Sequence, residues 1–415
     1  MPSSRWARRI AAAPVFAFWM SVSLRAQSQP PPPVTVKWNN GLEVATSDGA
    51  NNFQLGTLIE LDGRFDLDDP LNEVTNTFVM RRVRPILQGR VARYFEFRVM
   101  PDFGNGQTVL FDAYFDIRFT PAFRVRVGKD KTPLGLEQLY SDYSLLLPER
   151  TLVTNLVPNR DVGVQVQGVA LAGMLSYIGG VMNGVPDASN GDIDTNSAKD
   201  LVGRLTVLPF TRTRGAARGF GVAVGATTGQ EAGPLPSYKS TAQQTFFSYA
   251  ANAVANGART RVSPSAFYYY KSFGGFAEYA HNTETVSNPS TSVDLTHTAW
   301  EVTGSYVLTG ERASERGVIP STPFDPAQRH WGAVQVVARY SRIDLDPKAF
   351  STGLASSTSN PSAHAAGVAA TLYANAYLKY VLSYEQTRFQ DSPQFHRPTE
   401  HALVFRLQLN LQPIL

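Results

Sequence analysis

Residues 53–66 read FQLGTLIELDGRFD. Taken two by two, Phe53, Leu55, Thr57, Ile59, Leu61, Gly63 and Phe65 form one row. Gln54, Gly56, Glu60, Asp62, Arg64 and Asp66 form the other, with Leu58 its one exception. Successive side chains of a strand point to opposite faces, so this alternation predicts a strand that is greasy on one side and wet on the other. The pattern recurs. Phe95, Phe97, Val99 and Phe103 oppose Glu96, Arg98 and Asp102. Val109, Phe111, Ala113, Phe115, Ile117 and Phe119 oppose Asp112, Tyr114, Asp116 and Arg118. Leu403, Phe405, Leu407, Leu409 and Leu411 oppose Arg406, Gln408 and Asn410.

A water-soluble sandwich also alternates, but in shorter strands joined by regular tight turns. Many strands here reach about ten residues or more, the length that crosses a bilayer at a tilt. The chain accommodates about 16 such strands, an even number as bacterial barrels require. Some connections are short, such as Thr120-Pro121-Ala122 and Ala170-Leu171-Ala172. Others are long and polar: Asp130 to Asn159, Gly229 to Ala258 and Gly310 to Gln328. Short periplasmic turns with long external loops are the expected asymmetry. The predicted fold class is all-β, a transmembrane antiparallel β-barrel over residues 53–415. A barrel lets one domain use 415 residues without a proportionate core, because its apolar surface faces lipid.

Arg5, Arg8 and Arg9 precede an apolar stretch, Ile10 to Leu24, and Leu24-Arg25-Ala26 offers a cleavage site. Residues 1–26 therefore read as a signal peptide, and 27–52 as an N-terminal segment stiffened by Pro30 to Pro33. Beyond the signal no run of about 18 apolar residues exists, which excludes transmembrane helices. The expected location is the bacterial outer membrane, with its lipid as a partner.

Global charge argues for nothing. Of 38 basic residues four lie in the first 26, leaving 34 against 34 acids. Nucleic acid is not an expected partner. The absence of Cys removes thiolate metal sites and Cys nucleophiles. The six His residues (281, 297, 330, 364, 396 and 401) have no metal-ligand spacing, and no nucleophile elbow occurs. Asp192 and Asp194 read as a solvated turn rather than a calcium loop. No enzyme, metal site or cofactor is expected.

Arginines cluster instead. Arg81, Arg82 and Arg84 are followed by Arg90, Arg93 and Arg98 against one acid, Glu96. Arg82 and Arg84 share the wet face with Gln88; Arg118, Arg124 and Arg126 fall on the polar faces of neighbouring strands. A row of guanidinium groups on an inner wall attracts anions and hands them along. The same arginines could pair with Asp112 and Asp116 and only brace the barrel; composition leaves both readings open. Arg81 breaks the alternation, falling on the face of Val79, Val83 and Leu87. Facing lipid at mid-bilayer would cost about 2–4 kcal/mol, so an interface, a subunit contact or a bulge is expected there. Lys129 to Asn159 holds Leu145-Leu146-Leu147 and Glu149-Arg150. A loop so long and partly apolar is expected to fold into something, inside the barrel as a constriction rather than outside as a lid.

These residues resemble the phosphate-selective porins O and P. The likeness begins at residues 41–48 (GLEVATSD) and runs through Arg81-Arg82, Phe111-Asp112, Val127-Gly128, Gly135-Leu136-Glu137, Glu149-Arg150 and residues 162–165 (VGVQ). It continues through residues 308–311 (LTGE) and 338–341 (ARYS) to Arg406-Leu407-Gln408. The resemblance implies a homotrimer of 16-stranded barrels whose third external loop folds into the pore. It also implies an arginine ladder (Arg84, Arg98, Arg118, Arg124 and Arg126) leading to an anion site at the constriction. That site would comprise Arg81, Arg82, Arg150, Asp112 and Ser141. Gln138, Leu58 and Glu96 stand where phosphate-selective members carry Lys, Arg and Lys, which weakens the field that would strip water from phosphate. The resulting expectation is a passive porin preferring small anions, phosphate or related oxyanions included. The alternative is a general diffusion porin with little ion selectivity.

Overall fold

In the computed structural model residues 32–70, 74–192, 194 and 196–412 are described. The predicted signal peptide and the first part of the Pro-containing segment lie outside them. The strands, in chain order, open with β1 Val34–Trp38, β2 Leu42–Thr46, β3 Asn52–Asp66, β4 Thr77–Val91 and β5 Phe95–Asp102. Next come β6 Val109–Thr120, β7 Phe123–Lys131, β8 Arg160–Ala170, β9 Leu175–Met182 and β10 Asp200–Val207. They continue as β11 Phe220–Gly233, β12 Ser237–Lys239, β13 Thr245–Ser248, β14 Val254–Tyr270 and β15 Phe273–Asn288. The series ends with β16 Thr291–Val307, β17 Ala333–Asp344, β18 Ser362–Tyr373, β19 Leu378–Phe389 and β20 Glu400–Leu411. β12 and β13 form a small sheet of their own.

The sixteen strands β3–β11 and β14–β20 form an antiparallel barrel among the described residues, each paired with its neighbour. Pairing of β20 with β3, from Leu411↔Thr57 to Ala402↔Asp66, closes the ring. Closure leaves no free sheet edge in lipid, where an unpaired backbone group costs several kcal/mol. β1 and β2 make a hairpin that takes over the edge of β3 where β20 ends, with Leu42↔Leu55 to Ala45↔Asn52. The N-terminal segment is thus partly built into the barrel rim.

The period-two reading of β3 holds: Gln54 and Glu60 are 2% and 0% exposed, against 46% for Phe53. Arg81 is resolved by a bulge. The β3–β4 register slips between Glu60↔Arg82 and Leu61↔Met80, so Arg81 is the extra residue and turns inward. The turn after β5 locks this bulge: a Cβ on Gly104 would lie 2.4 Å from the Arg81 carbonyl oxygen.

One end of the barrel carries the short turns at 92–94, 121–122 and 271–272 together with the last residues of β20; in this architecture it is the periplasmic end. Two loop expectations need correction. The connection containing Gly310 to Gln328 joins β16 to β17 at this same end, so it is a long periplasmic loop and not an external one. Its residues Ala313 and Val318 are buried against Val307, Ala333 and Tyr373. The segment Gly229 to Ala258 is not chiefly loop either. β11 runs to Gly233 and β14 begins at Val254, and the residues between carry the buried side chains of Tyr238, Phe246 and Phe247.

Those side chains join Leu134, Leu152, Val153, Leu156 and Val157 of the 132–159 loop in one apolar core. The wall supplies Ala280, Leu295, Ala299, Ile343, Ala363 and Ala365. Folded loops therefore lie in the lumen against β15–β18, where the inward-facing residues include small and apolar ones such as Ala280, Ala299 and Ala365 between Glu278, Glu301 and Arg339. The open space is left beside β3–β10, where charged residues face inward.

Candidate pore constriction

The 132–159 loop folds into the lumen, as expected, through a short helix α1, Leu136–Leu139, and two single-turn helices, Asp142–Ser144 and Leu152–Leu156. The barrel wall supplies the hydrogen-bond partners that an inserted loop would otherwise lose. The Glu278 carboxylate accepts from the backbone of Leu136 (2.6 Å) and Glu137 (3.1 Å). Glu137 in turn accepts from the Thr151 backbone at 2.7 Å. Lys379 donates to the carbonyls of Tyr143 (2.8 Å) and Leu145 (3.1 Å), Arg406 to Pro148 (2.6 Å) and Arg339 to Glu149 (2.6 Å).

This placement divides the lumen into two chambers. The external one, a cavity of about 340 Å³, brings together Arg81, Arg82, Arg84, Arg150, Arg160 and Lys239 with Asp142, Glu149 and Asp187. Arg81 holds Glu149 with two hydrogen bonds, 2.6 and 2.9 Å. Arg82 pairs with Glu60 and reaches Asp142 at 3.4 Å. Arg84 pairs with Asp102 at 2.7 Å and with Asp142. Arg150 also binds Asp142, at 2.6 Å, and donates to the Tyr140 carbonyl at 2.9 Å. Asp142 is thus the hub of three arginines. Burial pushes its carboxyl up, but Arg150, Arg82 and Arg84 overturn that and hold it well below the usual range. Glu149 is likewise held well below its ordinary value, burial being outweighed chiefly by Arg81 and Arg64.

Of the residues nominated from sequence, Arg81, Arg82 and Arg150 meet here, with Arg84 beside them. Asp112 lies behind this wall, bound to Arg160 at 3.0 Å and Arg98 at 3.1 Å. Ser141 lies on the opposite side of the loop and lines the periplasmic chamber with Arg98. Arg118 is paired with Glu96 at 2.8 Å, and Arg124 (3.3 Å) and Arg126 (2.7 Å) share Asp116. All eight nominated arginines therefore have a carboxylate within 4 Å.

Sequence reasoning missed Arg160 and Arg204. Arg160 opens β8 and, with Arg84, lies over the Phe111 ring, at 4.4 and 4.1 Å from its centroid, a cation–π pairing that places both guanidinium groups on one aromatic ring. Arg204 sits singly in β10, where only knowledge of the inward face singles it out.

The family model for phosphate-selective porin O and P matches residues 53–411. No curated protein sequence matches. Among solved structures, the outer-membrane channel DcaP of Acinetobacter baumannii is similar with a TM-score of 0.57 at 11% identity, covering 88% of this chain and 98% of that one. An anion-selective porin from Comamonas acidovorans has a TM-score of 0.55 at 10% identity, covering 87% and 99%. The trimer form of OmpT from Vibrio cholerae has a TM-score of 0.50 at 8% identity, covering 87% and 99%. At such identities the likeness is one of fold. The family match spans nearly the whole closed barrel, and the chain belongs to the phosphate-selective porins O and P, a β-barrel porin of the outer membrane.

Proposed function

We propose that this porin is a passive, anion-preferring channel for small solutes such as phosphate or related oxyanions, with no enzymatic activity. It would work as a homotrimer after removal of residues 1–26. The observation that carries this reading is the lining of the external chamber, which presents six cations and three acids. Glu60, Asp102 and Asp112, which neutralise Arg82, Arg84 and Arg160, are not among its lining residues. An ion entering the chamber therefore meets more positive than negative groups, and the low-dielectric walls strengthen that difference. Family membership and the anion-selective neighbour agree with it, and the OmpT trimer form supports the homotrimer.

A general diffusion porin is the second reading, favoured by the carboxylate beside every nominated arginine. Reversal potentials of the purified protein in a potassium chloride gradient separate the two. Anion preference that falls on Arg82→Ala supports the proposal. Equal permeability to chloride and potassium, unaltered by added phosphate, supports the diffusion porin.

A further inference from the structure

Beneath the 132–159 loop, on its periplasmic side, lies a second cavity of about 380 Å³. We propose that this chamber binds small organic carboxylates that carry an apolar body. The proposal rests on the anion-preferring reading and gives it a substrate class.

The chamber holds a guanidinium with no ion-pair partner. Arg204 is 7% exposed, and its Nη1 has no hydrogen-bond partner. No carboxylate among the described residues lies within 4 Å of it. Glu278, the acid that acts on it from further away, already accepts from Leu136, Glu137 and Ser263. A buried charge left unpaired is unfavourable, and a carboxylate presents two oxygens that fit the guanidinium fork. Arg316, on the 308–332 loop, adds an exposed cation, also without an ion pair among the described residues, flanked by the exposed Glu315. Arg98 is already held by Asp112 and Gln88.

Beside the polar Ser141, Ser144, Thr206 and Gln412, the lining has an apolar and aromatic part: Leu136, Leu139, Tyr140, Tyr143 and Phe267. Phosphate or acetate would leave that side bare, whereas a ring or short hydrocarbon chain would cover it. The volume lies in the range of small-molecule sites, which combine apolar walls with a few placed polar groups. The external chamber differs. Each of its arginines already has a carboxylate within 4 Å.

The test is chloride current through the purified full-length protein in planar bilayers, titrated separately with benzoate, acetate and inorganic phosphate. Benzoate should block saturably at concentrations at least about tenfold below the other two. Arg204→Gln should raise the blocking concentration about tenfold while the reversal potential in potassium chloride stays anion-preferring. Arg316→Gln, on an exposed loop, gives the same readout with a smaller shift and serves if Arg204→Gln fails to assemble. Benzoate no better than acetate, or block unchanged in both variants, overturns the proposal. A wild-type reversal potential without anion preference, with benzoate block intact, would instead refute the functional reading and leave this site standing.

Discussion

The side chain of Glu278 on β15 accepts a hydrogen bond from the backbone N–H of Leu136 at 2.6 Å, across 142 positions of sequence. The same carboxylate takes the Glu137 N–H at 3.1 Å and the Ser263 hydroxyl at 2.7 Å. One wall residue thus satisfies the first turn of the constricting loop, which a loop placed inside a barrel cannot leave unmade. Replacing it strands three buried donors at about 1–3 kcal/mol each. Glu278→Ala should lower the thermal stability of the barrel, raise single-channel conductance and add open-channel noise as the loop loosens. Unchanged conductance with quiet openings would mean that Lys379, Arg406 and Arg339 hold the loop without it.

The barrel was legible in the sequence because lipid enforces alternation, as in β3 and β20; in β6 a bulge at Phe111 turns that ring, which the alternation puts on the greasy face, into the lumen under Arg84 and Arg160. What was not legible has physical causes. Inward positions such as Ala280, Ala299, Ala363 and Ala365 are apolar because folded loops cover them, so in β15, β16 and β18 they interrupt the wet face that Glu278, Asn282, His297 and Glu301 otherwise mark. Loop length did not reveal which end a loop occupies: the 308–332 segment is long, polar and periplasmic. The arginine cluster was visible, but its partners were not. Arg82 finds Glu60 through strand register and Asp142 through loop insertion, and neither contact follows from spacing. Ser141 and Arg150 are nine residues apart, yet they line opposite sides of one loop.

Glu149 sets the balance of the external chamber, since Arg64, Arg81 and Arg406 all lie on it. Asp62 also pairs with Arg64 and Arg406, so neutralising Glu149 leaves Arg81 as the guanidinium deprived of its carboxylate. Glu149→Gln should therefore shift the reversal potential further toward anions. Its amide can still hydrogen-bond, which limits the loss of fold. A shift toward cations, or none, would show that permeating ions do not feel Arg81.

The acid response of the loop follows from Asp142 and Glu149, both held well below ordinary carboxylate values. A depressed carboxyl contributes stability above its unfolded value and loses it only as pH falls through the folded one. Lowering the pH from 7 to about 4 should thus leave the loop tethered. Hydrogen exchange of its amides, corrected for intrinsic rate, should show protection retained at both values. Loss of protection near pH 5 would place the tether elsewhere.

Gly225 on β11 is the floor on which the start of the loop rests. A Cβ there would lie 2.7 Å from the Pro133 carbonyl oxygen and 3.2 Å from Leu134 Cδ1. The first contact is with backbone, so a rotamer change cannot relieve it. Leu134, which is fully buried in the lumenal core, would have to move as well. Gly225→Ala should therefore push the loop away from β11 at an overpacking cost of about 1–3 kcal/mol. The expected readouts are a lower melting temperature and an altered single-channel conductance, with the barrel still assembled. Gly304→Ala is the matched control, because a Cβ there meets nothing within 4 Å. If the two variants behave alike, the loop does not bear on Gly225.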